Sequence, residues 1–166
     1  MSRIRSAVLM HEGGMVFRTA TGTGRTLLFG DDAEFNENSP VEMVVSALAA
    51  CSAMDVVSIL AKKRQVLTSY TVEATADQRD DYPQVLTRVD IVHVLEGTVL
   101  LEQAVRRAIE LSASKYCPIN AMISAGATVV RHRYRIVSSG AAPFEAEGEV
   151  ITTGPYARPD ILVDQR

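Results

Sequence analysis

Tryptophan is absent from this 166-residue chain, and aromatic residues of all kinds make up only 5% of it. Any core must therefore be built from aliphatic side chains. The apolar content of 47% is enough to build one without metal or disulfide staples. Excess positive charge is missing as well, since the net charge is −3. That argues against the basic footprint of a nucleic-acid or anionic-membrane binder. The run Lys62-Lys63-Arg64 reads instead as a helix end, where cations meet the negative pole of the macrodipole. No uncharged apolar run reaches the ~18 residues of a membrane span, and residues 7–10 are too short for the core of a secretion signal. These absences predict a soluble cytoplasmic protein with no nucleic-acid or membrane partner. Repeats and low-complexity tracts are also lacking, and the length predicts one domain.

Cysteine is scarce: Cys51 and Cys117 are the two in the chain. In a reducing compartment such a pair is either inert core or chemistry, and a static disulfide is not expected. The three histidines, His11, His93 and His132, are scattered along the sequence, and the cysteines are far apart in it. Nothing has the spacing of metal ligands, so no metal is expected. Gly22-Thr23-Gly24 is not followed by a helix and is no phosphate loop. No organic cofactor is expected either.

What is present is an alternation of strand and helix patterns. Residues 7–10, 15–21 and 25–29 predict a β-meander, with turns at His11-Glu12-Gly13-Gly14 and Gly22-Thr23-Gly24. Ser39-Pro40-Val41-Glu42 is a helix start, with a Ser N-cap, Pro at the first helical position and Glu three residues after the cap. The helix runs to about Arg64. From Met43 to Leu60 small and apolar residues occur on every side, interrupted mainly by Ser46, Ser52, Asp55 and Ser58. That pattern predicts a helix buried all round, with Cys51 at its middle. Residues 69–76 and 85–95 alternate and predict a hairpin. Gly97-Thr98 is expected to open a second helix, Val99 to about Ser114, whose apolar stripe is Leu101, Ala104, Val105, Ala108 and Leu111.

Pro118 cannot continue that helix but can start a short one over 119–124, with Cys117 as its N-cap. Residues 129–137 predict a strand with Val130, His132, Tyr134 and Ile136 on one face and Arg131, Arg133 and Arg135 on a solvated face. The order is βββ-α-ββ-α-β, an α+β pattern. Residues 1–137 are expected to form the domain and 138–166 a tail, with residues 149–153 as an edge strand or dimer arm.

The stretch from Ser39-Pro40-Val41-Glu42 to Ala49-Ala50-Cys51, continued by Asp55-Val56-Val57 and Lys62-Lys63-Arg64-Gln65, resembles the central helix of the OsmC and organic hydroperoxide resistance family. Leu111-Ser112 followed by Tyr116-Cys117-Pro118 resembles that family's second-cysteine motif. The Asp-Val-Val and Lys-Lys-Arg-Gln features look most like its OsmC-like branch. The resemblance covers roughly residues 15–137. It implies the OsmC-like fold, two central helices against antiparallel sheet, in an intertwined homodimer with active sites at the subunit interface. It also implies a cofactor-free thiol peroxidase. Cys51 would attack an organic hydroperoxide, Cys117 would resolve the product, and a dithiol reductant would recycle the disulfide.

The chemistry sets requirements for each residue. A thiolate attacks the peroxide, and a second thiol traps the sulfenic acid before it over-oxidises. Cys51 lies mid-helix, where the macrodipole helps little and burial disfavours the thiolate. Its reactivity requires a cation brought by the fold, and Arg18 and Arg25 are the candidates; otherwise each is a surface arginine. Cys117, at a helix N-terminus, has its thiolate favoured. Glu42 is a candidate for the family's catalytic glutamate, but stands one residue later than the family's Pro-Glu, a turn of about 100°. Its capping-box role explains it without catalysis. Asp55 is one helical turn from Cys51 on the same face, where it would disfavour a thiolate, and a structural ion pair is expected for it. The rival reading is a non-catalytic dimer whose interface pocket binds an apolar or thiol-bearing ligand. The two cysteines favour the enzyme; the displaced Glu42 and the unmatched arginine favour the binder.

Overall fold

The structure is a computed structural model that describes residues 4–30 and 38–150. The chain divides into two compact units, Met1–Val44 and Val45–Arg166. In the first, β1 (Ala7–Gly13), β2 (Val16–Thr21) and β3 (Thr26–Phe29) form the expected meander in the order β1-β2-β3. The β1–β2 turn uses Gly13 at φ +119° and Gly14 at φ +52°, backbone conformations that side chains resist. β1 is exposed along its whole length, including Val8, Leu9 and Met10.

Helix α1 (Pro40–Lys62) begins where the Ser-Pro signature places it, with the Met43 N–H donating to the Ser39 carbonyl at 3.0 Å. Arg64, at φ +56°, turns the chain out of the helix, and the Gln65 N–H closes the end on the Leu60 carbonyl. Within a single chain its burial is confined to one side. Leu48, Ser52, Val56 and Leu60 are buried, one stripe at four-residue spacing. Val44, Met54 and Val57 are exposed, as are Ala47, Ala50 and Ala61. By length and composition α1 is apolar enough to cross a bilayer.

The second unit carries a sheet in the order β4-β5-β6-β7. β4 (Val66–Gln78) and β5 (Leu86–Val99) make the expected hairpin, with Tyr70 opposite Leu95 and Val72 opposite His93. β5 then runs two residues past Gly97 instead of yielding to a helix. Gly97 pairs with Leu67, and a Cβ there would stand 2.1 Å from the Val66 carbonyl oxygen. Glycine is needed for that close approach, not for a helix start. Helix α2 (Glu102–Leu111) begins later, and its first free N–H, Leu101, donates to the Gln65 side-chain oxygen at 2.7 Å. Its buried face is Val105, Ala108 and Ile109, and Leu101 is left exposed.

The chain continues through a π-helical turn, Ser112–Tyr116, into α3 (Pro118–Ser124). It returns as β6 (Val129–Ser138), which pairs parallel to β5, so the sheet is not wholly antiparallel as expected. The α2–α3 crossover is what a parallel neighbour requires. β7 (Phe144–Val150) pairs antiparallel to β6, starting five residues before the expected edge strand. Residues 151–166 of the expected tail lie outside the described residues.

One face of this sheet is buried, with Val89, Ile91, His93 and Leu95 of β5 beside Val130, His132, Tyr134 and Ile136 of β6. Leu48, Val89, Ile91, Cys117 and Val130 form one apolar cluster. Val56, Leu60, Leu95, Ile109 and Ile136 belong to another. Along both strands the histidines fall between residues of the two clusters. On the other face, Arg133 donates to Asp90 at 3.0 Å and Arg131 lies 3.8 Å from Glu149, so two of the three strand arginines are paired with acids.

Candidate functional site

The π-helical turn brings the two cysteines together. Its widened loop closes with the Cys117 N–H on the Ser112 carbonyl at 2.9 Å, a bond spanning five residues. Cys117 leaves the helical region at φ −76°, ψ 104° and caps α3, with Pro118 following it. The Cys117 sulfur accepts the Asn120 backbone N–H at 3.3 Å. The N-cap expectation for this residue therefore holds in geometry. From α1, Cys51 and Asp55 project one turn apart toward the same place. The Cys51 sulfur, the Cys117 sulfur and an Asp55 carboxylate oxygen all lie within 4.8 Å of one another. Cys51 is half-buried and Cys117 is buried, both as free thiols. Burial, then a hydrogen bond with Cys51, pushes the Cys117 thiol up to about 12. Among the described residues, no Lys or Arg is one of the groups acting on it.

Asp55 departs from its expected ion pair, having no salt bridge among the described residues. Its partner is the Ser112 hydroxyl, which donates to Oδ2 at 3.0 Å and lies 3.3 Å from the Ser52 hydroxyl. Burial raises the Asp55 carboxyl above its ordinary range, and the Ser112 bond opposes that shift. The trio of two thiols and a carboxyl is also compact enough to hold one cation. Spacing along the sequence could not show this, because Cys117 comes from a different element.

A second polar cluster was not anticipated. The Tyr70 hydroxyl meets His93 Nδ1 at 2.7 Å, His93 Nε2 meets His132 Nδ1 at 3.3 Å, and His132 Nε2 meets Asn120 Oδ1 at 3.1 Å. Asn120 Nδ2 donates to the Ala113 carbonyl at 2.8 Å. That last bond fixes every other proton. A carbonyl only accepts, so the Asn120 amide nitrogen faces Ala113 and its oxygen faces His132. His132 must then donate from Nε2 and accept at Nδ1, His93 must do likewise, and Tyr70 donates at the far end. The two rings stack at 5.6 Å. Burial holds both imidazoles neutral, with His132 down to about 4. Burial, followed by the neighbouring His132, takes His93 down to about 3. The sequence signal was an inward-facing histidine in each of two apolar strand patterns. What brings them together is the parallel register of β5 and β6.

The remaining candidates fall in the first unit. Arg18, on β2, is held by Glu12 of β1 through Nη2 and Oε2 at 2.8 Å, with a second bond from Nε. Arg25 is exposed ahead of β3, and Glu42 is exposed in the first turn of α1. The geometry of the second unit unites Cys51 with Cys117 and adds Asp55. Arg18, Arg25 and Glu42 are not part of that unit.

Comparison with known proteins bears on the family and the fold. The model of a family described as "OsmC-like protein" matches residues 30–132. Protein YhfA of Escherichia coli (strain K12) is 34% identical over 126 residues, which cover 76% of this chain and 93% of YhfA. An OsmC-like protein from Mycoplasma pneumoniae superposes with a TM-score of 0.72 at 10% identity, over 82% of this chain and 99% of that one. An organic hydroperoxide resistance protein OsmC from Legionella pneumophila superposes with a TM-score of 0.58 at 15% identity, over 82% of this chain and 97% of its own. At such identities the two structures speak for the fold.

Proposed function

The chain belongs to the OsmC-like family, and from that premise we propose that it reduces organic hydroperoxides to alcohols through its two cysteines. The observation that carries the reading is the convergence of both sulfurs within 4.8 Å, from elements far apart in sequence. Two structural cysteines have no need to meet. In the first step the Cys51 sulfur attacks the peroxide oxygen, breaking the O–O bond. Cys51 becomes a sulfenic acid and the alkoxide leaves as an alcohol, taking the thiol's proton. The Cys117 sulfur then attacks the Cys51 sulfur and water departs, leaving a Cys51–Cys117 disulfide. An external dithiol returns the enzyme to its starting state. The aliphatic wall of Leu48, Val89, Ile91 and Val130 around the thiols suits an alkyl or lipid hydroperoxide better than a small polar one.

Arg18 or Arg25 is assigned the role of steadying the Cys51 thiolate, and Glu42 a supporting role beside it. The exposed apolar residues of β1 and α1 would be covered in a homodimer, and a monomer in sedimentation at micromolar concentration would contradict this. Free thiols suit the cytoplasm.

Mass spectrometry after one equivalent of cumene hydroperoxide tests the reading. Wild type should form one intramolecular disulfide. Cys117→Ser should stop at a sulfenic acid and over-oxidise, and Cys51→Ser should not react. If wild type keeps two free thiols, or Cys51→Ser oxidises as fast as wild type, the peroxidase reading fails. The chain would then be a dimeric binder of an apolar or thiol-bearing ligand.

A further inference from the structure

The disulfide-forming step proposed above leaves one proton without a carrier. Cys117 is buried, and burial with the Cys51 hydrogen bond keeps its thiol protonated at neutral pH, pushed up to about 12. A thiol attacks poorly, and the thiolate is the nucleophile. The departing hydroxyl of the Cys51 sulfenic acid also needs a proton to leave as water. Donor and recipient sit on two sulfurs that share one neighbour. An Asp55 oxygen lies within 4.8 Å of both. Placed beside a thiolate this carboxylate is a liability, since like charge disfavours ionisation. Placed beside a thiol that must lose its proton, it is a base.

We propose that Asp55 is the general base of disulfide closure, taking the Cys117 proton and passing it to the group that leaves Cys51. In balance, the Cys117 S–H and the Cys51 S–O bonds break, and one S–S and one O–H bond form. Cys51 sulfur is reduced, Cys117 sulfur is oxidised, and Asp55 ends as it began. The surroundings suit the task. Ser112 donates to Oδ2, and a carboxylate oxygen lies within 4.8 Å of both sulfurs. No salt bridge among the described residues neutralises the carboxylate. Its raised carboxyl pKa brings it nearer to neutrality, where a general base works best. The Asn120 N–H on the Cys117 sulfur steadies the charge that builds as the proton departs.

The inference rests on Cys117 attacking Cys51, so it is tested without peroxide. Dithiobis-nitrobenzoate should label the more accessible Cys51 first, releasing one nitrothiobenzoate. Cys117 should then displace the second by the same attack. Wild type should release both without a lag. Asp55→Asn keeps the size and can still accept from Ser112. It should leave the first release unslowed and slow the second about 100-fold at pH 7, within the range of general-base effects. Its second release should then rise tenfold per pH unit, because hydroxide must do the work. Asp55→Glu should restore much of the rate. A second release within threefold of wild type in Asp55→Asn would overturn the proposal. So would an equal slowing of both releases, an Asp55→Glu variant as slow as Asp55→Asn, or a wild type that never gives the second release. If exchange depends on Asp55 but peroxide leaves the thiols untouched, only the peroxidase reading falls.

Discussion

The imidazole pair and the dithiol are two polar breaks in the aliphatic interior of the second unit, and burial acts on them in opposite ways. Between Tyr70 and Ala113 every side-chain donor has one acceptor, each ring is neutral, and nothing is left over to react. Around Cys51 and Cys117 the groups are acids rather than bases. One thiol and one carboxyl are pushed away from ionisation, and only weak or partial hydrogen bonds answer them. A buried polar network that is fully satisfied makes a fold specific and rigid, while a partly satisfied one stores reactivity. The two clusters meet at Asn120. Its side chain terminates the imidazole relay, and its backbone N–H touches the Cys117 sulfur. The imidazole cluster thus helps to fix the geometry of the dithiol.

Acid should expose the contrast most strongly. Both imidazoles have folded pKa values near 4 and 3, against about 6.5 in the unfolded chain. The groups facing them are Tyr70 from β4 and Asn120 from α3, and neither offers a charge to hold an imidazolium. As pH falls below about 6.5 the unfolded chain takes up protons that the folded chain refuses. The stability held by the pair is complete above that pH and is lost as pH drops toward 4 and then 3. Between pH 7 and pH 5 the loss should be about 2 kcal/mol per imidazole, read from urea unfolding. A curve flat over that range would remove the buried neutral pair.

Next in size is His132→Leu. It strips the partner from His93 Nε2–H and from Asn120 Oδ1 at once, and should cost about 2–4 kcal/mol in the same measurement. The first nitrothiobenzoate release from Cys51 should stay within threefold of wild type. A variant as stable as wild type would show that the relay contributes little to the fold.

Tyr70→Phe cuts the chain at its outer end and orphans only His93 Nδ1, a loss of about 1 kcal/mol. The smallest effect carries the opposite sign. The folded pKa of Asp55 is raised, so its protonated form is the one folding favours. The stability it contributes is present at low pH and lost as pH rises through that raised value. Asp55→Asn should therefore raise the urea midpoint slightly at pH 7. A lowered midpoint would make the carboxylate a structural anchor instead of a reactive group.

Some of this could be read before any coordinates. The Ser-Pro-x-Glu start and the Gly-rich turns are local chemistry, so α1 and the meander are found where they were expected. Cys117 as an N-cap followed by proline is local as well. What escaped reading is non-local. Gly97 looked like a helix opener because its close approach to the Val66 carbonyl depends on a strand thirty residues away in the chain. The parallel pairing of β6 with β5 cannot be told from alternation, which is identical in either direction, and with it went the meeting of His93 and His132. Asp55 was placed on the correct helix face, but its partner proved to be Ser112, buried at the start of a π-helical turn that no pattern announced. Hydropathy counts apolar residues without asking what the chain can lay against them, so the pattern of α1 does not reveal that a single chain buries only one stripe of it.

The parallel pairing of β5 and β6 has a consequence for how the molecule comes into being. A hairpin closes from its turn in microseconds, but a parallel neighbour can form only after the whole return segment, residues 100–128, has been made and docked. Cys117 rides on that segment, while Cys51 waits on a helix completed much earlier in synthesis. During folding the two thiols are therefore separate and ordinary, and an oxidant meeting them then finds two single cysteines that act apart. The pair exists as a pair only once the most non-local contacts of the fold are complete, so dithiol behaviour serves as a report that the chain has finished folding.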